Sequence, residues 1–161
     1  MFRAAEKDDE YTGMGTTVVG ALISGNSLTI GHAGDSRLYL LSNGATRLLT
    51  VDDTWATALS ADGLGRNVAG HPMRDVLTNV IGARDHAEVH LQEHELRDGD
   101  TLLLCSDGLH KALDQGRIHE FLSGNGSLTD LVKRMIDAAL ANGSRDNVTA
   151  VVVRWEQADA A

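Results

Sequence analysis

Asn43-Gly44 stands between two short segments of similar texture, SRLYLLS and TRLLT. Asn-Gly between β-prone runs is the strongest short-range hairpin signal, because both residues accept the positive φ that a tight turn between twisted strands demands. It commits this part of the chain to antiparallel pairing. The same punctuation comes earlier. TTVVGALIS, a Gly25-Asn26 turn and SLTIGHAG predict a hairpin over residues 16–34. Four short strands in a row read as an antiparallel meander.

Downstream, AEVHLQEHEL alternates weakly and predicts a half-exposed strand. RDGD is a turn signal and TLLLCS a buried strand. NVTAVVVRW predicts a last strand, buried on both faces over AVVV. Asp52 or Asp53 can cap a helix across DTWATALSAD. DQGRIHEFLS and SLTDLVKRMIDAALANG have helical spacing. In the second, Leu128, Leu131, Val132, Met135, Ile136, Ala139 and Leu140 form one apolar stripe. Ser127 or Thr129 can start that helix and Gly143 can end it. VLTNVIG fits either state. Residues 63–75 carry three Gly and the only Pro, which predicts a loop. Tight turns between strands, with helices left over to cover the sheet faces, point to an α+β fold in one domain.

Composition excludes some functions. The 23 acidic residues outnumber the 14 basic ones, a net charge of −9, so a nucleic-acid surface of clustered Lys and Arg is not expected. A lone cysteine, Cys105, excludes an internal disulfide and a Cys cluster for zinc. No apolar run approaches a membrane span, and MFRAAEKDDEY lacks the apolar core of a signal peptide. A soluble cytoplasmic protein is expected.

The acid excess directs attention to carboxylates. Asp35, Asp107 and Asp146 each stand at the end of an apolar segment, beside Gly, Ser or Asn. Carboxylates at the ends of different strands can converge on a hydrated divalent cation such as Mg²⁺ or Mn²⁺. Three independent turns or caps fit the same pattern. Other reactive side chains read as structural. Cys105 lacks an Arg six positions on, where Lys111 stands, and is expected as a buried strand thiol. His90 and His94 are about 13 Å apart in an extended strand, too far to share an ion, and are expected as surface histidines. His32 is expected to pack in its strand, and Arg37 to make a structural ion pair.

The wording of the segments carries more than their pattern. GMGTTVVGALI, GHAGDSRLYLL, LCSDGL and SRDNVTAVVV occur in that order. LLTVDDTW and HPMRDVLTNVIGA lie between the second and the third. Together they resemble the metal-dependent Ser/Thr protein phosphatase family (PPM, type 2C) in its bacterial form. LLTVDDTW is similar to the family's Thr-x-Asp-His-Ser segment, and LTNVIG to its Leu-Thr-Arg-x-Leu-Gly segment. The resemblance runs from Gly13 to about Arg154 and implies a layered α-β-β-α sandwich of two antiparallel sheets flanked by helices. It implies a two-ion Mn²⁺ or Mg²⁺ site with a weaker third ion. It also implies phosphoprotein substrates of a Ser/Thr kinase, hydrolysed by in-line attack of metal-activated water. It matches Asp107 and Asp146 to two metal-ligand aspartates, and Asp35 to an acid that serves the third ion together with Asp107. Ser106, Gly108 and Asn147 match residues that support those ligands. Residues around 60–75 match a flap beside the cleft.

Three segments of that family are missing. The chain has no N-terminal phosphate-holding Arg, no Asn-Glu-Asp segment and no Asp-Gly-x-Gly-Gly, whose Asp bridges two metals. SADGLGRN at 60–67 resembles the last only superficially. Residues 13–155 are therefore expected to form an N-terminally incomplete phosphatase domain. A polar segment, 1–12, precedes it and a tail, 156–161, follows. The chain alone is expected to be weakly active or inactive and poorly stable as a monomer. A non-catalytic interaction module is the second reading.

Overall fold

Asn43 and Gly44 take φ of +50° and +72°, the paired positive values that let a two-residue turn follow the twist of its strands. The hairpin closes on β3 (Arg37–Ser42) and β4 (Ala45–Leu48), with Ser42 opposite Ala45 and Tyr39 opposite Leu48. The earlier hairpin joins β1 (Val18–Ser24) to β2 (Ser27–Ala33) across Gly25, whose φ is +59°. The computed structural model describes residues 1–61 and 70–157. Most of the expected loop at 63–75, most of the SADGLGRN segment and the end of the tail lie outside the described residues.

The fold is α+β with two antiparallel sheets and helices, as the sequence predicts. The strands do not form one meander. β1 and β2 join β5 (His90–Glu95) in a sheet ordered β1-β2-β5. β3 and β4 join β6 (Thr101–Cys105) and β7 (Ala150–Arg154) in the order β4-β3-β6-β7. The chain changes sheet at Gly34-Asp35-Ser36. The chain also divides into two compact units, whose boundaries do not follow the two sheets. One holds residues 1–20, 30–36 and 51–92, the other 21–29, 37–50 and 93–161.

In the second unit β6 is central, with Tyr39 opposite Leu103 on one side and Val152 opposite Leu103 on the other. Two helices cover this sheet, α4 (Gln115–Leu122) and α5 (Leu128–Ala141). Each starts on a side-chain cap, and Ser127 is one of the two candidates its sequence offers. Asp114 accepts from the Arg117 amide at 2.8 Å and Ser127 from the Asp130 amide at 3.1 Å. Ile118, Leu122, Leu131, Met135 and Ala139 pack with Tyr39, Leu103, Cys105, Leu109 and Leu113. Each large apolar side chain buried there contributes about 1.5–3 kcal/mol. The α5 stripe is narrower than its sequence suggests, since Leu140 is exposed. β7 is not buried on both faces; it is an edge strand and Val151 faces solvent.

In the first unit, α1 (Phe2–Ala5) and a 3-10 turn (Asp9–Tyr11) occupy the polar N-terminal segment. Thr54, not Asp52 or Asp53, caps α2 (Trp55–Ala61): its hydroxyl accepts from the Thr57 amide at 3.3 Å. The undecided VLTNVIG segment is neither a helix nor a regular strand. It forms isolated bridges, Leu77 with Thr54 and Ile81 with Thr16. Among the described residues no helix is long and apolar enough to cross a membrane.

Candidate metal site

β6 ends where the acid begins. Ser106 caps α3 (Asp107–His110) with extended backbone, φ −76° and ψ 167°. Its hydroxyl makes no capping bond because it is engaged elsewhere. It donates to the Asn147 carbonyl at 3.0 Å and accepts the Thr149 amide at 3.0 Å. The Ser106 amide donates to the Thr149 carbonyl at 3.1 Å. The Ser144 hydroxyl donates to the Gly108 carbonyl at 2.8 Å, and the Asn142 side chain to the Ala112 carbonyl at 3.1 Å. These bonds staple the start of α3 to the segment that carries Asp146.

Gly108 is not the turn its Asp-Gly sequence suggests. It lies in the first turn of α3, pressed against the neighbouring backbone. A Cβ there would come within 2.5 Å of the Asn147 carbonyl oxygen and 3.3 Å of the Asp146 carbonyl oxygen. Only glycine lets the two segments approach this closely.

The result is a cavity of about 350 Å³ lined by Asp107, Gly108, Lys111, Asn142, Ser144, Arg145 and Asp146, among others. The structure thus brings together two of the three expected ligands and two cations. Asp146 Oδ1 accepts the Asn147 amide at 2.7 Å. Asp107 Oδ2 accepts from the Lys111 ammonium at 2.7 Å. Burial pushes the Asp107 carboxyl up, but the Lys111 hydrogen bond and charge, with the Gly108 amide, outweigh it and hold it below the usual carboxylate range. Asp107 is an anion at neutral pH. Asn147 engages this segment through its backbone carbonyl and amide, and its side chain is exposed.

Asp35 lies in the other unit, between β2 and β3, and is 6% exposed. Its neighbours are fixed from both sides. The Gly34 amide donates to Asp53 Oδ2 at 2.8 Å, and the Ser36 and Thr17 hydroxyls bond at 2.8 Å. Asp53, which the sequence offers with Asp52 as a helix cap, has its carboxylate taken up here instead, and the two histidines expected at the surface are partly buried. His90 is no free surface group. Its Nε2 bonds Asp53 Oδ1 at 2.8 Å and its ring lies 4.9 Å from that of His32. Nε2 of His94 and Nδ1 of His32 are buried without a hydrogen-bond partner among the described residues. His32 is packed, as expected, and Cys105 is a buried thiol. Arg37 donates to the Tyr39 hydroxyl at 3.0 Å.

The donors facing the cavity suit a hard cation in kind. Asp107 and Asp146 offer carboxylate oxygens, and Mg²⁺ or Mn²⁺ binds through one or two carboxylates while keeping several waters. Among the described residues no three His, Cys, Asp or Glu side chains gather as a ready ligand cluster.

Comparison with known proteins gives this geometry a setting. Residues 2–152 match the family model of protein phosphatase 2C. The serine/threonine phosphatase Stp of Listeria innocua is 33% identical over 151 residues, which make up 92% of this chain and 60% of that protein. The solved structure of the S. agalactiae serine/threonine phosphatase superposes with a TM-score of 0.88 at 33% identity, covering 94% of this chain and 63% of that one. The catalytic domain of the serine/threonine protein phosphatase PstP, solved with 2 manganese ions, superposes with a TM-score of 0.80 at 35% identity, over 93% of this chain and 63% of that one. The chain spans 60% of the length of its Listeria relative.

Proposed function

The chain belongs to the protein phosphatase 2C family, and we propose that it carries part of the metal site of a phosphoserine/phosphothreonine protein phosphatase. The observation behind this is the shared cavity of Asp107 and Asp146, held by bonds from Ser106 and Ser144 in a chain of that family. In this reading Asp107 and Asp146 hold Mn²⁺ or Mg²⁺, and Asp35 serves a further, weaker ion. When bound, such ions lower the pKa of water and offset charge on phosphoryl oxygens.

The chain's own residues do the remaining work. Ser106 and the backbone of Asn147 keep Asp107 and Asp146 on one cavity wall. Gly108 removes the side chain that would force them apart. Lys111 and Arg145, on the same cavity, attract the phosphate dianion of a phosphoprotein. Residues 13–155 act as a partial phosphatase domain, with 1–12 and 156–161 as flanking segments. The substrates are cytoplasmic phosphoproteins made by a Ser/Thr kinase.

Full activity is not expected from these residues alone. The sequence has no Asp-Gly-x-Gly-Gly segment, so the carboxylate that bridges two ions in the family pattern is missing. The test is manganese-dependent hydrolysis of a phosphothreonine peptide by the purified 161-residue chain. Slow or absent turnover with measurable Mn²⁺ binding supports the proposal. Rapid turnover overturns the incompleteness, and absence of Mn²⁺ binding overturns the metal site.

A further inference from the structure

The turn that carries Asp35 is gripped by a carboxylate outside the expected ligand set. The Gly34 amide donates to Asp53 Oδ2 at 2.8 Å, and the Asp53 amide donates back to the Gly34 carbonyl at 3.0 Å. This reciprocal pair joins two segments nineteen residues apart. The Asp53 carboxylate is itself immobilised. Asn79 Nδ2 donates to Oδ2 at 2.7 Å, and His90 Nε2 bonds Oδ1 at 2.8 Å. Asn79 is held in turn by the backbone of Glu88, donating to its carbonyl at 2.8 Å and accepting its amide at 3.2 Å. The His90 ring packs 4.9 Å from the buried His32 ring. Both oxygens of Asp53 are occupied, so the side chain cannot turn away from Gly34.

The far side of the turn is equally restricted. Gly34 has φ of +100°, and a Cβ there would lie 2.4 Å from Thr17 Cγ2. Thr17 also bonds the Ser36 hydroxyl. A turn closed by Thr17 on one side and by a carboxylate bonded through both oxygens on the other presents its central residue in one backbone geometry. Outer groups that fix a metal ligand in this way typically change metal affinity 10–100-fold when removed.

We infer that Asp53 is a positioning residue for Asp35, acting through the Gly34 amide, with Asn79 and His90 as the groups that orient it. The inference rests on the reading of Asp35 as a cation ligand. Asp53 touches neither ion nor substrate; it spares Asp35 the reorganisation that ion binding would otherwise require.

The test uses the full chain, with Mn²⁺ binding followed by electron paramagnetic resonance and the Gly34 amide proton followed by NMR without metal. Asp35→Asn defines the component of binding that depends on Asp35. Asp53→Asn is expected to weaken that component about ten-fold or more, to add nothing when combined with Asp35→Asn, and to move the Gly34 amide proton upfield. His90→Gln and Asn79→Ala, which leave Asp53 in place, are expected to weaken the same component less. Unchanged binding in Asp53→Asn, or a loss that adds to that of Asp35→Asn, overturns the inference while Asp35 stands as a ligand. If Asp53→Asn does not fold, unchanged binding in both His90→Gln and Asn79→Ala overturns it. If Asp35→Asn itself leaves binding unchanged, the ligand reading of Asp35 falls and the inference with it.

Discussion

Lys111 offers its ammonium to Asp107 at 2.7 Å, using lone pairs that a divalent cation would need. Lysine and metal therefore compete for one carboxylate. Lys111→Ala is expected to tighten Mn²⁺ binding severalfold, read by calorimetric titration; unchanged or weaker binding would mean that Lys111 helps to hold the site. The same pair sets a pH dependence. The folded Asp107 carboxyl lies below its ordinary value, so its stabilisation is complete above that value and is lost as pH falls through the lowered one. For a partly exposed pair this is worth about 0–1 kcal/mol. Thermal melts below about pH 4 should show it in the parent chain and lose it in Lys111→Ala. His32 runs the same way for a different reason. Burial, then the neighbouring His90, hold its imidazole below the ordinary value against the pull of Asp53 and Asp52. The unfolded chain takes up that proton first, so stability falls as pH drops below about 6.5. His32→Gln should flatten that slope in melts between about pH 7 and 5.

Segments with strong local chemistry were legible in the sequence. Asn43-Gly44 closed its hairpin, and Ser127 caps the helix it precedes. What the sequence hid depends on partners far along the chain. Asp53 looks like a cap, yet Gly34, Asn79 and His90 claim its carboxylate and leave the helix to Thr54. One signal was available: the resembling family segment has His where this chain has Asp53. Gly108 reads as a turn, but its small size serves contact with a segment near position 147. Gly108→Ala tests that contact. It should cost about 1–3 kcal/mol of stability through overpacking and weaken Mn²⁺ binding, measured by denaturant melts and titration. A melt unchanged from the parent would show that the two segments can part freely. Leu131→Ala, inside the α5 seam, should cost about 2–5 kcal/mol and leave Mn²⁺ affinity of the folded protein unaltered, which separates the core from the site.

At the scale of the whole molecule, six ordered segments identified the family, and a match over residues 2–152 bears that out. The edge status of β7 escaped prediction, because AVVV reads as equally buried on either face. The chain spans 60% of its Listeria relative, so what its residues do alone is a separate question from what the longer proteins do. That question turns on whether Asp107 and Asp146 bind an ion together. The most direct measurement is Mn²⁺ titration of the purified chain beside Asp107→Asn and Asp146→Asn, followed by electron paramagnetic resonance at neutral pH. The two carboxylates of one cavity should each be needed, with either substitution weakening binding about ten-fold or more. Equal affinity in all three proteins would contradict a shared metal site and leave the two acids as structural groups at the ends of their segments.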